Sequence, residues 1–160
     1  MNATQMGFLQ HYLDFPLVVN QLELNLLHSG WLDEVVLANN TQGKDLSFGS
    51  GTIEYCRMNK VQIQSWGSLC QGLLTGRDLS GQPRHIHQTA ALVNSLAAEY
   101  QTSKEAILLA FLMRHPAGIQ PVIGTTNLDR IRACSNAAKV TLSRAHWYAL
   151  YVCARGEELP

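Results

Sequence analysis

The chain has 160 residues, of which 46% are hydrophobic and only 15% are charged, and twelve basic residues balance twelve acidic ones. A chain of this length suits one domain, over residues 1–160, and can bury a real core. A net charge of zero excludes binding to nucleic acid or to a membrane surface through bulk charge. A net charge of zero also predicts poor solubility, as expected of a chain whose surface normally packs against a missing partner.

Targeting and cysteine signals are weak. No apolar run approaches the roughly 18 residues that a membrane-spanning helix needs, and the first nine residues lack the basic and apolar parts of a secretion signal. Cys56, Cys70, Cys134 and Cys153 are widely spaced and form no CxxC pair. Free buried thiols are favoured over a metal or disulfide framework, and the expected location is cytoplasmic.

Periodicity and capping signals predict nine elements in chain order. Helices are expected over residues 6–13, 53–58, 88–100, 106–113, 128–138 and 144–154. Strands are expected over residues 17–22, 61–66 and 121–124. Strands that alternate with helices imply right-handed βαβ units and a parallel sheet, and three strands cannot close a barrel alone. The sheet edges are therefore expected to stay open, and the apolar helix over 106–113 to expose surface unless barrel strands cover it.

Candidate binding residues follow the first two predicted strands. Asn20 and Gln21 end the first strand, where amides offer both a donor and an acceptor to a carboxamide. Trp66 ends the second strand and offers a flat face to an aromatic ligand, and the turn at Gly67 and Ser68 lets backbone N–H groups approach phosphates. Alternatively, the amides satisfy backbone groups, and the indole lies in the core before an ordinary turn.

The third predicted strand runs through Gly124, Thr125 and Thr126 into a helix capped by Asn127, with Arg130 in its first turn. A helix N-terminus offers free N–H groups and the positive end of a dipole, and arginine adds a bidentate fork. This pattern indicates a phosphate site. The alternative is an N-capped helix with a surface arginine.

Three runs of sequence together resemble the aldo-keto reductase family: VVNQLELNLLH, IQSWGSLCQGLLTG and PVIGTTNLDRIRAC. Their order and spacing match the ends of the sixth, seventh and eighth barrel strands, and the closing stretch resembles the family's bacterial oxidoreductase branch. The resemblance covers nearly all of the chain but only about half of a family barrel. It implies an α/β fold, the C-terminal half of a TIM-type (β/α)₈ barrel with about three parallel strands and outer helices.

The resemblance also implies reduction of a small-molecule carbonyl to an alcohol with NAD(P)H. By this resemblance Gln21 hydrogen-bonds the nicotinamide carboxamide, and Trp66 replaces the aromatic side chain that stacks on the nicotinamide ring. Gly67, Ser68 and Leu69 would line the pyrophosphate.

The resemblance further places the adenosine 2′-phosphate against Thr125, Thr126 and Asn127, with Arg130 over that phosphate and the adenine. The implied cofactor is NADP in preference to NAD. Gly124 stands where many members have a lysine that pairs with the 2′-phosphate, although glycine is also common there. A second departure, at residues 133–134, replaces a Glu-Asn pair near the adenine with Ala-Cys and makes the preference for NADP less secure.

No catalytic residue and no metal ligand is predicted. The family's catalytic Asp, Tyr, Lys and His lie on its first four strands, and none of those motifs occurs in this chain. The expectation is a truncated half that is inactive alone. The alternative is a non-catalytic nucleotide-binding module, or an interaction module that self-assembles through its open sheet edges.

Overall fold

The structure, a computed structural model, describes all 160 residues as three strands and seven α-helices. The strands are β1 (Val19–Glu23), β2 (Gln62–Trp66) and β3 (Gln120–Pro121). The helices are α1 (Ala3–His11), α2 (Gly30–Val36), α3 (Thr52–Met58), α4 (Arg84–Glu99), α5 (Lys104–Met113), α6 (Leu128–Ser135) and α7 (Arg144–Arg155). Short 3₁₀ turns cover Thr41–Asp45, Cys70–Gly72 and Asn136–Lys139.

The predicted order of elements is confirmed except for α2, which the sequence reading missed. This helix has only seven residues, its N-cap Ser29 makes no side-chain capping bond, and only Trp31 and Leu32 are buried along it. So short a segment carries too few apolar positions for a helical period to show. Several boundaries also move, most clearly in α4, which starts four residues early because Pro83 already serves as its N-cap.

The three strands form a parallel sheet in the order β1-β2-β3, as the sequence predicts. β1 pairs with β2 over all five residues, whereas β3 contributes only Gln120 and Pro121. The predicted third strand over 121–124 is therefore too long. The ladder ends soon after Val122, whose N–H donates to the Ser65 carbonyl, because the chain then turns toward α6. β1 and β3 each keep one unpaired edge.

The two faces of the sheet differ. Asn20, Ile63 and Ser65 lie under the helices and are buried. On the opposite face Gln21, Gln64 and Gln120 form one row across all three strands, with Nε2 to Oε1 distances of 3.1 Å and 3.0 Å. No helix covers this second face, which is called the open face below. Helices therefore cover one side of the sheet only.

The core lies between the sheet and the helical layer, with α5 at its centre. Seven consecutive residues of α5, from Ala106 to Leu112, are buried. The expectation that this helix exposes apolar surface is wrong, because α4, α6 and the 3₁₀ turn Asn136–Lys139 pack around it. Ser103 caps the helix by accepting a hydrogen bond from the Ala106 N–H at 3.1 Å.

A buried polar cluster joins α2 to α7. The Tyr151 hydroxyl donates to Asp33 Oδ1 at 2.6 Å, and Arg155 Nε lies 3.1 Å from the same oxygen. The side chains of Arg155 and Asp33 are only 8% and 13% exposed. Burial and the hydrogen bond to Asp33 both raise the pKa of Tyr151, so this hydroxyl remains a donor at neutral pH.

Replacing Asp33 by Asn should therefore destabilise the chain strongly, because Arg155 loses its buried carboxylate partner and keeps only Glu157, which is 3.9 Å away and 70% exposed. We expect the free energy of unfolding to fall by about 3 kcal/mol in urea titrations followed by circular dichroism. Asp129→Asn is the matched control, since it breaks an exposed pair in which Arg132 and Asp129 are 77% and 91% exposed. That change should cost less than about 0.5 kcal/mol. Equal losses in the two variants would contradict this account of α7 docking.

Candidate functional site

A cleft of about 300 Å³ lies at the carboxyl ends of the strands, between the turn that follows β2 and the turn that follows β3. Parallel strands end at the same edge of a sheet, so segments distant in sequence meet there. Six of the predicted residues line this cleft: Gly67, Ser68, Leu69, Gly124, Thr125 and Arg130. The fold therefore joins the two predicted phosphate-binding segments in a single site.

Hydrogen-bond donors dominate the cleft and its rim. Several backbone N–H groups in the two turns have no acceptor in the protein, among them those of Ser68, Leu69, Gly124, Thr125 and Thr126. The Arg130 guanidinium lies at the N-terminal end of α6 and forms no ion pair with a carboxylate. No acidic side chain lines the cleft. Free N–H groups, a helix N-terminus and an unpaired guanidinium together favour a phosphate.

Ser68 reaches the cleft through its backbone only. Its hydroxyl is buried, donates to the Ser65 carbonyl at 2.8 Å, and lies 2.9 Å from the Ser65 hydroxyl. These bonds attach the turn to the end of β2. The serine side chain therefore positions the N–H group of the turn and is not itself available to a ligand.

The segment around α6 is organised in a similar way. Asn127 Oδ1 accepts a hydrogen bond from the Arg130 N–H at 3.0 Å, and the Thr125 hydroxyl accepts one from the Asn127 N–H at 3.2 Å. The hydroxyl proton of Thr125 and the amide N–H₂ of Asn127 are still free to donate. Thr126 and Asn127 are exposed beside the cleft rather than in its lining. A Cβ built on Gly124 would meet no atom within 4 Å, so the site has room for a longer side chain.

The turn after β2 has an unusual backbone. Gly67 has a φ of +64°, and a Cβ there would lie 3.4 Å from Glu23 Oε1, so this position favours glycine. Cys70 and Gln71 also have positive φ values, of 51° and 53°, which are unfavourable for residues with side chains. Gln71 lines the cleft, as do Gly72 and Thr75. The sequence showed only a glycine-rich turn here and did not mark these as site residues.

Asn25 holds the strained turn in place and was not predicted from the sequence. Its Oδ1 accepts bonds from the N–H groups of Leu27 and His28 at 3.0 Å and 2.8 Å, and from the Cys70 thiol at 3.4 Å. Burial raises the pKa of the Cys70 thiol to about 11, so the thiol stays protonated and can donate. The loop after β1 is thereby attached to the turn after β2.

Gln21 and Trp66 lie outside the cleft, on the open face of the sheet. Glu23 pairs with Trp66 in the ladder, and Gln21 lies two residues before Glu23, so their side chains leave the same face. Trp66 is 46% exposed, and the alternative that it is a core tryptophan is wrong. Gln21 donates to Gln64 and keeps its own oxygen free.

Asn20, by contrast, is buried and hydrogen-bonded to the backbone of Met1, as the alternative reading of the strand-end amides expected.

None of the helices is both long and apolar enough to span a bilayer. No group of three or more His, Cys, Asp or Glu side chains is arranged to hold a metal ion.

Comparison with known proteins identifies the class to which this fold and cleft belong. Residues 6–154 match the model of the aldo/keto reductase family, and the chain is a member of that family. It is 33% identical over 153 residues to the 6-dehydroglucose reductase of Agrobacterium fabrum, a match that covers 96% of this chain and 44% of the relative. It is 30% identical over 156 residues to the 6-dehydroglucose reductase of Novosphingobium aromaticivorans, covering 98% of this chain and 45% of the relative.

Solved structures agree on the fold. An aldo-keto reductase of Bombyx mori, determined in complex with NADP, superposes with a TM-score of 0.65 at 21% identity, covering 96% of this chain and 42% of that protein. The chain thus spans about half the length of the curated relatives it matches. Its fold is α/β, part of a TIM-type barrel, as the sequence resemblance implied.

Proposed function

We propose that this chain forms the dinucleotide-binding part of an NAD(P)H-dependent oxidoreductase that reduces a carbonyl to an alcohol. The observation that carries the proposal is the cleft of unpaired N–H donors and Arg130, which lies at the carboxyl ends of the strands. On the open face, Trp66 ends β2 at this edge, and Gln21 lies in the middle of the neighbouring strand β1. Family membership supports the reaction class, and the NADP complex of the Bombyx mori relative supports the type of cofactor.

The pyrophosphate is proposed to bind the turn after β2. Gly67 has no side chain, so the backbone of the turn can approach the pyrophosphate closely. The free N–H groups of Ser68 and Leu69 supply hydrogen-bond donors. These residues fit a phosphate group, because its oxygens would accept hydrogen bonds from N–H groups that have no acceptor in the protein. The Ser68 hydroxyl contributes indirectly, by anchoring the turn to Ser65.

The adenosine 2′-phosphate is proposed to bind at the start of α6. The Thr125 hydroxyl, the Thr126 N–H, the Asn127 amide and the Arg130 guanidinium are donors grouped within one strand–turn–helix unit. Because these residues favour a phosphate rather than a free hydroxyl, the proposed cofactor is NADP in preference to NAD. Cys134 lies on the buried side of α6, so its side chain adds no contact to the adenine.

The nicotinamide is proposed to lie against the open face. Gln21 would orient the carboxamide with its amide, and Trp66 would stack its exposed indole on the ring. When bound, the nicotinamide supplies a hydride to the carbonyl carbon. None of the family's catalytic acid motifs occurs in these 160 residues, and we propose that the proton for the carbonyl oxygen comes from another part of the whole protein.

The substrate of the whole protein is proposed to be a small-molecule carbonyl compound. The names of two relatives point to 6-dehydroglucose, a sugar that carries such a group.

The 160-residue chain should show no reductase turnover above background when it is supplied with NADPH. Positioned acid–base catalysis contributes typically 10²–10⁴-fold to such rates, and this chain offers no positioned acid. The measurement is NADPH oxidation, followed by absorbance, with 6-dehydroglucose and a panel of aldehydes and ketones. Steady oxidation that requires substrate and is abolished by heating would show that the proton donor lies within this chain.

The isolated chain should bind 2′,5′-ADP weakly, because the proposed phosphate donors come from one local unit. Arg130→Ala should weaken binding at least ten-fold by calorimetry, since a charged hydrogen bond is worth about 1.5–3 kcal/mol. Trp66→Ala should change the Kd less than two-fold, because this ligand has no nicotinamide. Arg132→Ala, an exposed arginine on the same helix, controls for general charge. Equal losses from Arg130→Ala and Trp66→Ala would mean that the phosphate binds elsewhere.

A second candidate function, a self-assembling interaction module, is favoured by the unpaired edges of β1 and β3 and by the exposed open face. We expect the sedimentation coefficient to rise with protein concentration. Val19→Lys should reduce this association, because Val19 lies on the edge strand β1 and is 40% exposed, and a lysine on an edge strand opposes pairing. Leu128→Lys, at a 67% exposed position on α6, is the control. A sharp monomer at all concentrations would rule this candidate out.

A further inference from the structure

A second cavity, of about 370 Å³, lies among α2, α3, the end of α5 and α7. It shares no lining residue with the cleft at the carboxyl ends of the strands. Arg57 lies near the end of α3, before β2, and His115 and Pro116 precede β3, so this cavity is near the amino-terminal ends of the strands. Its volume is within the range of small-molecule sites, roughly 300–1,000 Å³.

The walls of the cavity are largely apolar and aromatic. Eight of its fourteen lining residues are hydrophobic, and Trp147 and Tyr148 meet edge to face at 5.1 Å within the lining. Trp147 is held by stacking on Phe111 at 4.9 Å and by the bond from its Nε1 to the Phe111 carbonyl at 2.8 Å. Such rigid rings form a surface suited to a flat apolar ligand.

Three arginines also line this cavity, Arg57, Arg114 and Arg144. Glu54 is the one carboxylate in the lining, and none of the three guanidiniums forms an ion pair. Arg144 lies over the Tyr148 ring, with its guanidinium carbon 5.7 Å from the ring centroid. A guanidinium that has no ion pair can form two parallel hydrogen bonds to a planar anion such as a carboxylate, and the apolar walls can pack against the rest of the ligand.

Two further lining residues, the half-buried His115 and the buried Trp31, reinforce this arrangement. Burial and the charge of Arg57 lower the pKa of His115 to about 4, so the ring is neutral at pH 7 and the positive charge comes from the arginines. Trp31 packs edge-on against His115 at 4.9 Å. Its Nε1 is the one buried side-chain polar atom in the chain without a hydrogen-bond partner. An unpaired buried donor costs free energy, so Trp31 is a sensitive reporter of changes around this cavity.

We propose that this cavity binds an aromatic carboxylate, with its ring against Trp147 and Tyr148 and its carboxylate facing Arg57 and Arg144. A singly charged head group is favoured over a phosphate, because a largely apolar cavity makes each added charge costly to desolvate. The site is separate from the dinucleotide cleft and does not depend on the proposed reductase function.

The test is a titration of the ¹⁵N-labelled full chain with 2-naphthoate and, in parallel, with its neutral amide. The chain has three indole N–H groups, those of Trp31, Trp66 and Trp147, and Trp66→Phe identifies the signal of Trp66. We expect saturable shifts at Trp31 and Trp147, none at Trp66, and at least ten-fold weaker binding of the amide. Acid and amide binding equally, a shift centred on Trp66, or no saturable shift would overturn the proposal.

Variants separate the two sites. Arg57→Ala and Arg144→Ala should each weaken naphthoate binding about ten-fold, whereas Arg130→Ala, in the other cleft, and the exposed control Arg132→Ala should leave it unchanged. Tighter binding of naphthyl phosphate than of naphthoate would show that the assigned head group is wrong. The comparison of acid with amide uses the unaltered chain, so the proposal is tested even if an arginine variant fails to fold.

Discussion

The parallel pairing of β2 between β1 and β3 is the constraint on which the rest of the structure depends. Parallel strands cannot be joined by a hairpin, so the chain must return across the sheet through helices before each new strand. Every carboxyl end therefore emerges at the same edge. This is why Gly67–Leu69 lines a single cleft together with Gly124, Thr125 and Arg130, which are far away in the sequence.

Hydrogen bonds within the turns then decide which donors remain free in the cleft. Hydroxyls and amides that would be natural ligand donors are partly used to hold the backbone, as in the Ser65–Ser68 pair and the Asn25–Cys70 contact. What they leave free is a set of N–H groups at defined positions. The unfavourable φ values of Cys70 and Gln71 persist because these surrounding bonds hold the turn in its conformation.

Helix α7 joins α2 to the central helix α5. The buried bonds from Tyr151 and Arg155 to Asp33 attach it to α2, and Trp147 packs on Phe111 of the central helix α5. The same contacts shape the walls of the arginine-lined cavity, which lies away from the dinucleotide cleft.

The sequence by itself determined the order of the strands, most of the helices and the segments that follow the strands. These features depend on local signals, namely apolar periodicity, helix caps such as Asn127 and Ser143, and glycine-rich turns. A family resemblance in three ordered motifs was enough to identify the fold, because strand-end motifs keep their spacing in the chain.

The tertiary structure alone decided which polar groups are free to bind a ligand and which are already hydrogen-bonded within the protein. The Ser68 hydroxyl is buried and bonded while its N–H is open, and Trp66 is exposed on an uncovered face rather than packed in the core. The arginine-lined cavity likewise gathers residues from three helices and from the turn after α5, and their spacing in the sequence carries no common signal. Such properties depend on contacts between distant segments, which packing sets and local sequence patterns do not encode.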